Sequence, residues 1–138
     1  MANMDLYNDI GILRGIDPVV LTDNTPAVSQ IIDTQGYGSV TFAICVGTLA
    51  DADATFTALV EEGDNSALSD AAAVADSDLL GTEAGASLTF ADDNETRKIG
   101  YIGGKRYVRL TMTPAGNTGN APIAAVAIGG HPAVSPVA

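Results

Sequence analysis

The chain reads as an all-β protein, a single-domain antiparallel β-sandwich of the jelly-roll-like kind with extended arms at both ends. Three observations lead there. The 15 Gly and 6 Pro punctuate the 138 residues at short intervals. The runs between them alternate with period two, the pattern of strands that bury one side, and helical periodicity is weak throughout.

Taken in order, residues 1–20 form an N-terminal arm, because their apolar groups (Met4, Leu6, Tyr7, Ile10, Ile12, Leu13) keep no sustained period and chain ends stay loose unless tied down. Residues 21–132 form the sandwich, and 133–138 a C-terminal tail within the proline-containing HPAVSPVA. PAVSQII (26–32) is a first short strand. In GSVTFAICVGTL, Val40, Phe42, Ile44 and Val46 point one way and Thr41, Ala43 and Cys45 the other, so it reads as a central strand covered on both faces. ATFTALVEE follows after a short DAD connection and makes either a hairpin with it or a crossing between sheets.

SALSDAAAVADSDLL (66–80) is a loop with room for a single helical turn, and ASLTF (86–90) another strand. RKIGYI and KRYVRLTMT flank Gly103-Gly104, which reads as a tight hairpin. On the second arm Val108, Leu110 and Met112 face the core, and Lys105, Tyr107, Arg109 and Thr111 line the opposite face. PIAAVAIGG (122–130), nearly all apolar, is a buried strand.

Hydrophobic residues make up 46% of the chain, but they lean on Ala and Val, with three Phe and no Trp. Such a core depends on close packing of small groups. The single Cys45 cannot form an internal disulfide and is expected as a buried small hydrophobe. MANMDLYNDIGILRG carries acids and no continuous apolar core, so no secretory signal is expected. No apolar run approaches the roughly 18 residues of a membrane span. Synthesis and retention in a cytoplasm, with no membrane partner, follow as expectations.

Charge is uneven. Residues 1–96 hold all 17 acids and one base, Arg14; residues 97–138 hold five bases and no acid, giving −16 and +5 within a net charge of −11. The bases Arg97, Lys98, Lys105, Arg106 and Arg109 crowd one segment, which suits holding a surface. They are expected beside acidic loops of the same or a neighbouring subunit. Nucleic acid is not an expected partner, because the overall field repels phosphate and only Tyr101 and Tyr107 interleave the bases.

No catalytic constellation emerges. The lone His131 in GGHPAV has no nucleophile elbow near it, and GYIGGK departs from a phosphate loop because Lys105 is followed by Arg106. The acid groups Asp51/Asp53, Asp76/Asp78 and Asp92/Asp93/Glu95 miss the EF-hand spacing and read as solvated turns, with incidental Ca²⁺ the other reading. A chain without Trp is poorly supplied for sugar stacking. The expectation is a protein that is not an enzyme and takes no cofactor.

RKIGYIGGKRYVR, the Thr-rich strand after it, the Gly/Asn/Thr loop, the Ala/Val strand and the closing G-H-P resemble a group of small tailed-bacteriophage virion proteins. These are encoded among head genes and are regarded as capsid cement or decoration proteins. The resemblance spans roughly residues 38–136. It implies a β-rich protein on the outer surface of the icosahedral head, made in the bacterial cytoplasm, that clamps neighbouring copies of the major capsid protein. It also suits a homo-oligomer, with a trimer on a three-fold axis as the first expectation and a dimer as the second. Candidate capsid or inter-subunit contacts are Lys98, Lys105, Arg106, Tyr107 and Arg109 in the basic segment, and Leu6, Tyr7, Ile10 and Ile12 in the arm. The alternatives are a head-fibre base or vertex protein, a host-surface-binding β-sandwich displayed on the virion, and a head-completion or tail-tube component.

Overall fold

The computed structural model of the chain describes residues 4–137. Twelve strands build two antiparallel sheets. They are β1 (Gly11–Arg14), β2 (Val19–Leu21), β3 (Ala27–Val28), β4 (Ile32–Asp33), β5 (Tyr37–Val46), β6 (Thr55–Gly63), β7 (Ala72–Ala73), β8 (Leu79–Leu80), β9 (Leu88–Thr89), β10 (Thr96–Tyr101), β11 (Tyr107–Ala115) and β12 (Ala121–Pro132). A four-residue helix, α1 (Glu83–Ala86), is capped by Thr82, whose Oγ1 accepts from Gly85 N at 2.9 Å.

The first sheet runs β1-β12-β5-β10-β8, with β2 also on β12; the second runs β3-β11-β6-β7, with β4 also on β11 and β9 on β6. The period-two alternation explains the sandwich. Val40, Phe42, Ile44 and Val46 of β5, with Ile123, Ala125 and Ala127 of β12, enter one core from the first sheet. Phe56, Ala58 and Val60 of β6, with Val108, Leu110 and Met112 of β11, enter it from the second. The face assignments made for β5 and β11 therefore stand, and β5 to β6 is a crossing between sheets.

Four expectations change. Gly103-Gly104 does not close a hairpin, since β10 lies in the first sheet beside β5 and β8 while β11 pairs with β6 in the second. The link instead wraps the Tyr101 ring: a Cβ on Gly103 would stand 2.6 to 2.7 Å from it, and this close approach is what demands glycine there. Second, β5 is covered on one face only, and Cys45 is exposed, because the parity that buries Ile44 and Val46 turns Cys45 toward a face with no third layer. Third, the N-terminal arm is shorter than residues 1–20. β1 pairs with β12 from Gly11↔Gly129 to Arg14↔Val126, β2 pairs with β12 as well, and Ile16 is buried, so the chain joins the sandwich from Gly11 onward.

Fourth, segment 26–32 is broken into β3 and β4, both on β11. Between them Ser29 is buried and interrupts the ladder: Leu110 N donates to Ser29 Oγ at 2.9 Å while Ser29 N donates to Leu110 O at 2.8 Å. Segment 66–80 is mostly loop, as expected, with a 3-10 turn at Asp76–Asp78.

Candidate interaction surfaces

Three surfaces follow from this architecture, and the basic segment comes first. Lys105 Nζ reaches Asp64 Oδ2 at 2.6 Å, and Arg109 Nη2 reaches Glu61 Oε1 at 3.0 Å across a directly opposed strand pair. Arg106 grips Asp33 with both forks, Nε to Oδ1 at 3.0 Å and Nη2 to Oδ2 at 2.9 Å, and lies 5.1 Å from the centre of the Tyr107 ring. The Arg106 hydrogen bonds hold the Asp33 carboxyl below its usual range, and the Asp64 hydrogen bond raises the Lys105 ammonium. Arg97 is shared by Asp92 and Glu95. The uneven charge of the sequence is thus settled largely within the chain. Lys98, exposed on β10, is the one of these bases with no ion pair among the described residues.

Because the Lys105 pair is open to water and the Arg109 pair is three-quarters covered, the two respond differently to mutation. Lys105→Ala should leave the melting temperature unchanged. Arg109→Ala should cost about 1 kcal/mol, read by urea unfolding, and equal losses at both sites would refute this assignment of roles.

One functional group escaped the sequence reading. Tyr101 is buried on β10, and its hydroxyl donates to Glu62 Oε2 of the opposite sheet at 2.6 Å while accepting from Lys105 N at 2.9 Å. Burial, then the Glu62 hydrogen bond, pushes the phenol well above its ordinary range. The Tyr four residues before a Lys was the available signal, but nothing local says that its ring crosses the core.

The second surface joins the two chain ends. A 3-10 turn at Tyr7–Asp9 receives the tail: Val137 N donates to Asn8 O at 2.9 Å, and Ser135 Oγ donates to Asp9 Oδ1 at 3.0 Å. Leu6 is 64% exposed and Tyr7 88%, and Ile12 and Val134 are also exposed, while Ile10 is half-buried above a shallow groove lined by Gly130, His131 and Pro132. The structure therefore gathers Leu6, Tyr7 and Ile10 at one end and places Ile12 on the adjoining strand.

The third surface is the outer face of the first sheet, formed by outward residues of β1, β12, β5 and β10 such as Ile12, Val126, Ala43, Cys45 and Lys98. It is largely apolar and has no acid at any outward position of these four strands.

The carboxylate groups act as turn caps. Asp51 accepts from Asp53 N and from Thr118 N and Oγ1, and Asp93 accepts from Leu49 N at 2.8 Å. Among the described residues no three His, Cys, Asp or Glu side chains converge on a metal position. His131, at φ 48°, shares a 3.1 Å hydrogen bond between Nδ1 and Ser39 Oγ at the surface, with no carboxylate bonded to the ring among the described residues.

The class defined by this geometry is an all-β sandwich domain of two antiparallel sheets. No protein-family model matches the chain, and no curated protein matches it. Among solved structures it is similar to xylanase 10C from Cellvibrio japonicus in complex with xylopentaose, at 14% identity and TM-score 0.48, over 92% of this chain and 28% of that one. It is also similar to the xylan-binding module CBM15, at 12% identity and TM-score 0.44, over 95% and 96% of the two chains. A third is the enzymatically active domain of bacteriophage CBA120 tailspike protein 4, at 13% identity and TM-score 0.44, over 89% of this chain and 19% of that one. The chain thus spans little more than a quarter of the first of these proteins. Likenesses this distant bear on neither ligand nor activity.

Proposed function

We propose that the chain is a structural virion protein, without enzymatic activity, that decorates and stabilises an icosahedral phage head by clamping neighbouring major capsid protein subunits on its outer surface. The observation that carries this reading is the knitted pair of chain ends. Exposed Leu6 and Tyr7 beside Ile12 and Val134 form an apolar patch on a strongly acidic molecule, and such patches serve contact with another macromolecule. The basic segment supports the reading differently from the sequence expectation. Its other bases are held in ion pairs within the chain, and Lys98 is left to meet an outside carboxylate.

The test is saturation binding of the purified protein to expanded heads that lack it, with bound copies counted per head. Binding at a fixed ratio to capsid subunits, with heads then surviving higher temperature, is the expected result. Leu6→Asp combined with Tyr7→Asp should weaken binding about 30-fold, as for loss of a hot-spot contact, while the isolated protein melts unchanged. Saturation at the vertices alone would move the assignment to a fibre base, and no binding would sink the proposal.

A further inference from the structure

Residues 4–10 and 134–137 lie outside both sheets, and each segment is fixed mainly by the other. Within the N-terminal turn, Asn8 N and Nδ2 donate to the Asp5 carboxylate at 3.2 and 2.6 Å, and Asp9 N donates to Leu6 O at 3.0 Å. These bonds shape the turn without attaching it to the sandwich. Among the described residues, every hydrogen bond that ties residues 4–10 to the rest of the chain comes from the tail. Val137 N donates to Asn8 O at 2.9 Å, and Ser135 Oγ reaches Asp9 Oδ1 at 3.0 Å and Asn8 O at 3.4 Å. The dependence runs both ways. Ala133 N is anchored on Gly36 O at 2.9 Å, and beyond it the tail bonds only to Asn8 and Asp9 among the described residues.

Apolar contact between the ends is shallow. None of Tyr7, Asn8 and Asp9 is buried, and Val137 is half-buried in a groove that it shares with Tyr7, Ile10 and Ile12. From Gly11 onward the chain is held differently, by the ladder between β1 and β12 and by buried Ile16. Ordering the two ends costs conformational entropy at every residue, and a few solvent-exposed hydrogen bonds offset little of it.

We infer that residues 133–137 are a strap, anchored at Ala133, that closes on the N-terminal turn, and that its opening disperses the apolar patch while the sandwich stays folded. The two ends order and loosen as one unit, at a free energy far below that of global unfolding. Closed, the strap sets Val137 beside Tyr7 and Ile12 and holds the turn that presents Leu6. Open, Leu6 and Tyr7 ride on a loose chain end, and a partner that needs the patch binds more weakly by the fraction of molecules that are closed. A partner seated on the patch keeps the strap shut by the same coupling. This control of binding rests on the reading of the patch as the surface that meets the capsid.

The strap itself is tested on the full chain without heads, by amide exchange followed by NMR. Asp9 and Val137 should share one protection factor, roughly 100-fold or more below that of Ala125, whose N–H donates from β12 to Ile16 O at 3.0 Å. Ser135→Ala should lower the protection of both about fivefold, as for one lost hydrogen bond, and leave Ala125 unchanged. A variant ending at Pro132 should melt at the temperature of the full chain and lose the protection of Asp9. Protection of Val137 equal to that of Ala125, a Ser135→Ala effect confined to the tail, or a lower melting temperature for the shortened variant would each overturn the strap. Its control of the patch is tested on heads, where the variant ending at Pro132 should bind about tenfold more weakly than the full chain, and equal binding would overturn that control. A full chain that fails to bind heads would sink the decoration reading, while the exchange result would still decide whether the strap exists.

Discussion

Replacing Phe42 with alanine is expected to lower the unfolding free energy by about 3–5 kcal/mol, measured by urea denaturation with linear extrapolation. Phe42 is fully buried on β5, and its neighbours in register are Ala127 of β12 and Ile99 of β10. Ala127 is too short to reach into the space, and Ile99 is held by its ladder with β5. Of the three Phe in the chain, Phe42 and Phe56 are buried and Phe90 is half exposed. A core otherwise made of Val, Ile, Leu and Ala, with Met112 and Tyr101, cannot close over the loss of one of its three large rings. Phe90→Ala, as the control, should change stability by less than about 0.5 kcal/mol. A loss below about 1.5 kcal/mol at Phe42 would mean that the sheets repack freely and that the core lacks the close packing described.

Tyr101→Phe is the second large effect, expected at about 1–3 kcal/mol, because it leaves Lys105 N and the Glu62 carboxylate without their shared partner. Its pH dependence identifies the cause. In the folded chain the phenol titrates above its ordinary value of 10.0, so the fold favours the neutral form. That contribution is complete below pH 10 and is lost as the pH rises through the folded value, since the unfolded chain ionises first. The stability difference between the wild type and Tyr101→Phe should therefore be constant from neutral pH upward and shrink above about pH 10. A difference that stays constant through that range would show that the hydroxyl is not buried against Glu62.

Tyr101 also explains what the basic motif does for the fold. IGYIGGKRYVR carries the chain from one sheet to the other, and each residue type has work there: Ile99 and Tyr101 fill the core, Gly103 clears the ring, Arg106 clamps Asp33, and Arg109 sits opposite Glu61. A pattern of this kind can therefore be shared between proteins because it makes a crossing, independently of what its surface touches.

The strands legible in the sequence were the long ones. β5, β11 and β12 each bury alternate residues over nine or more positions, so parity alone gave the inward faces. Partnership was not legible. A Gly-Gly link is compatible with a hairpin and with a crossing, because the choice is made by whether Ile99 and Leu110 enter the core from the same side or from opposite sides. β1 and β2 have four and three residues, too few for a period to stand out, and become strands only because β12 offers them an edge. Cys45 misled for a related reason: a run of apolar residues says that one face is buried and leaves the other open. Opposite charges in separate parts of the chain announced that pairing would occur, but the identities Asp33, Glu61 and Asp64 came from strand register. The candidate contacts divided accordingly. Leu6 and Tyr7 are free to touch a partner, whereas Lys105, Arg106 and Arg109 are engaged at home.

The position of β12 has a consequence for how the molecule is made. It follows every other described strand in the sequence, yet it lies inside the first sheet, between β1 and β2 on one side and β5 on the other. Until it emerges, the N-terminal strands have no edge to join, and β5 lacks half of its ladder. Nascent chains should therefore remain protease-sensitive until β12 has emerged, then fold in one concerted step governed by long-range pairings. Any product terminated before Ala121 would be cleared as unfolded chain, so only chains that carry β12 would persist.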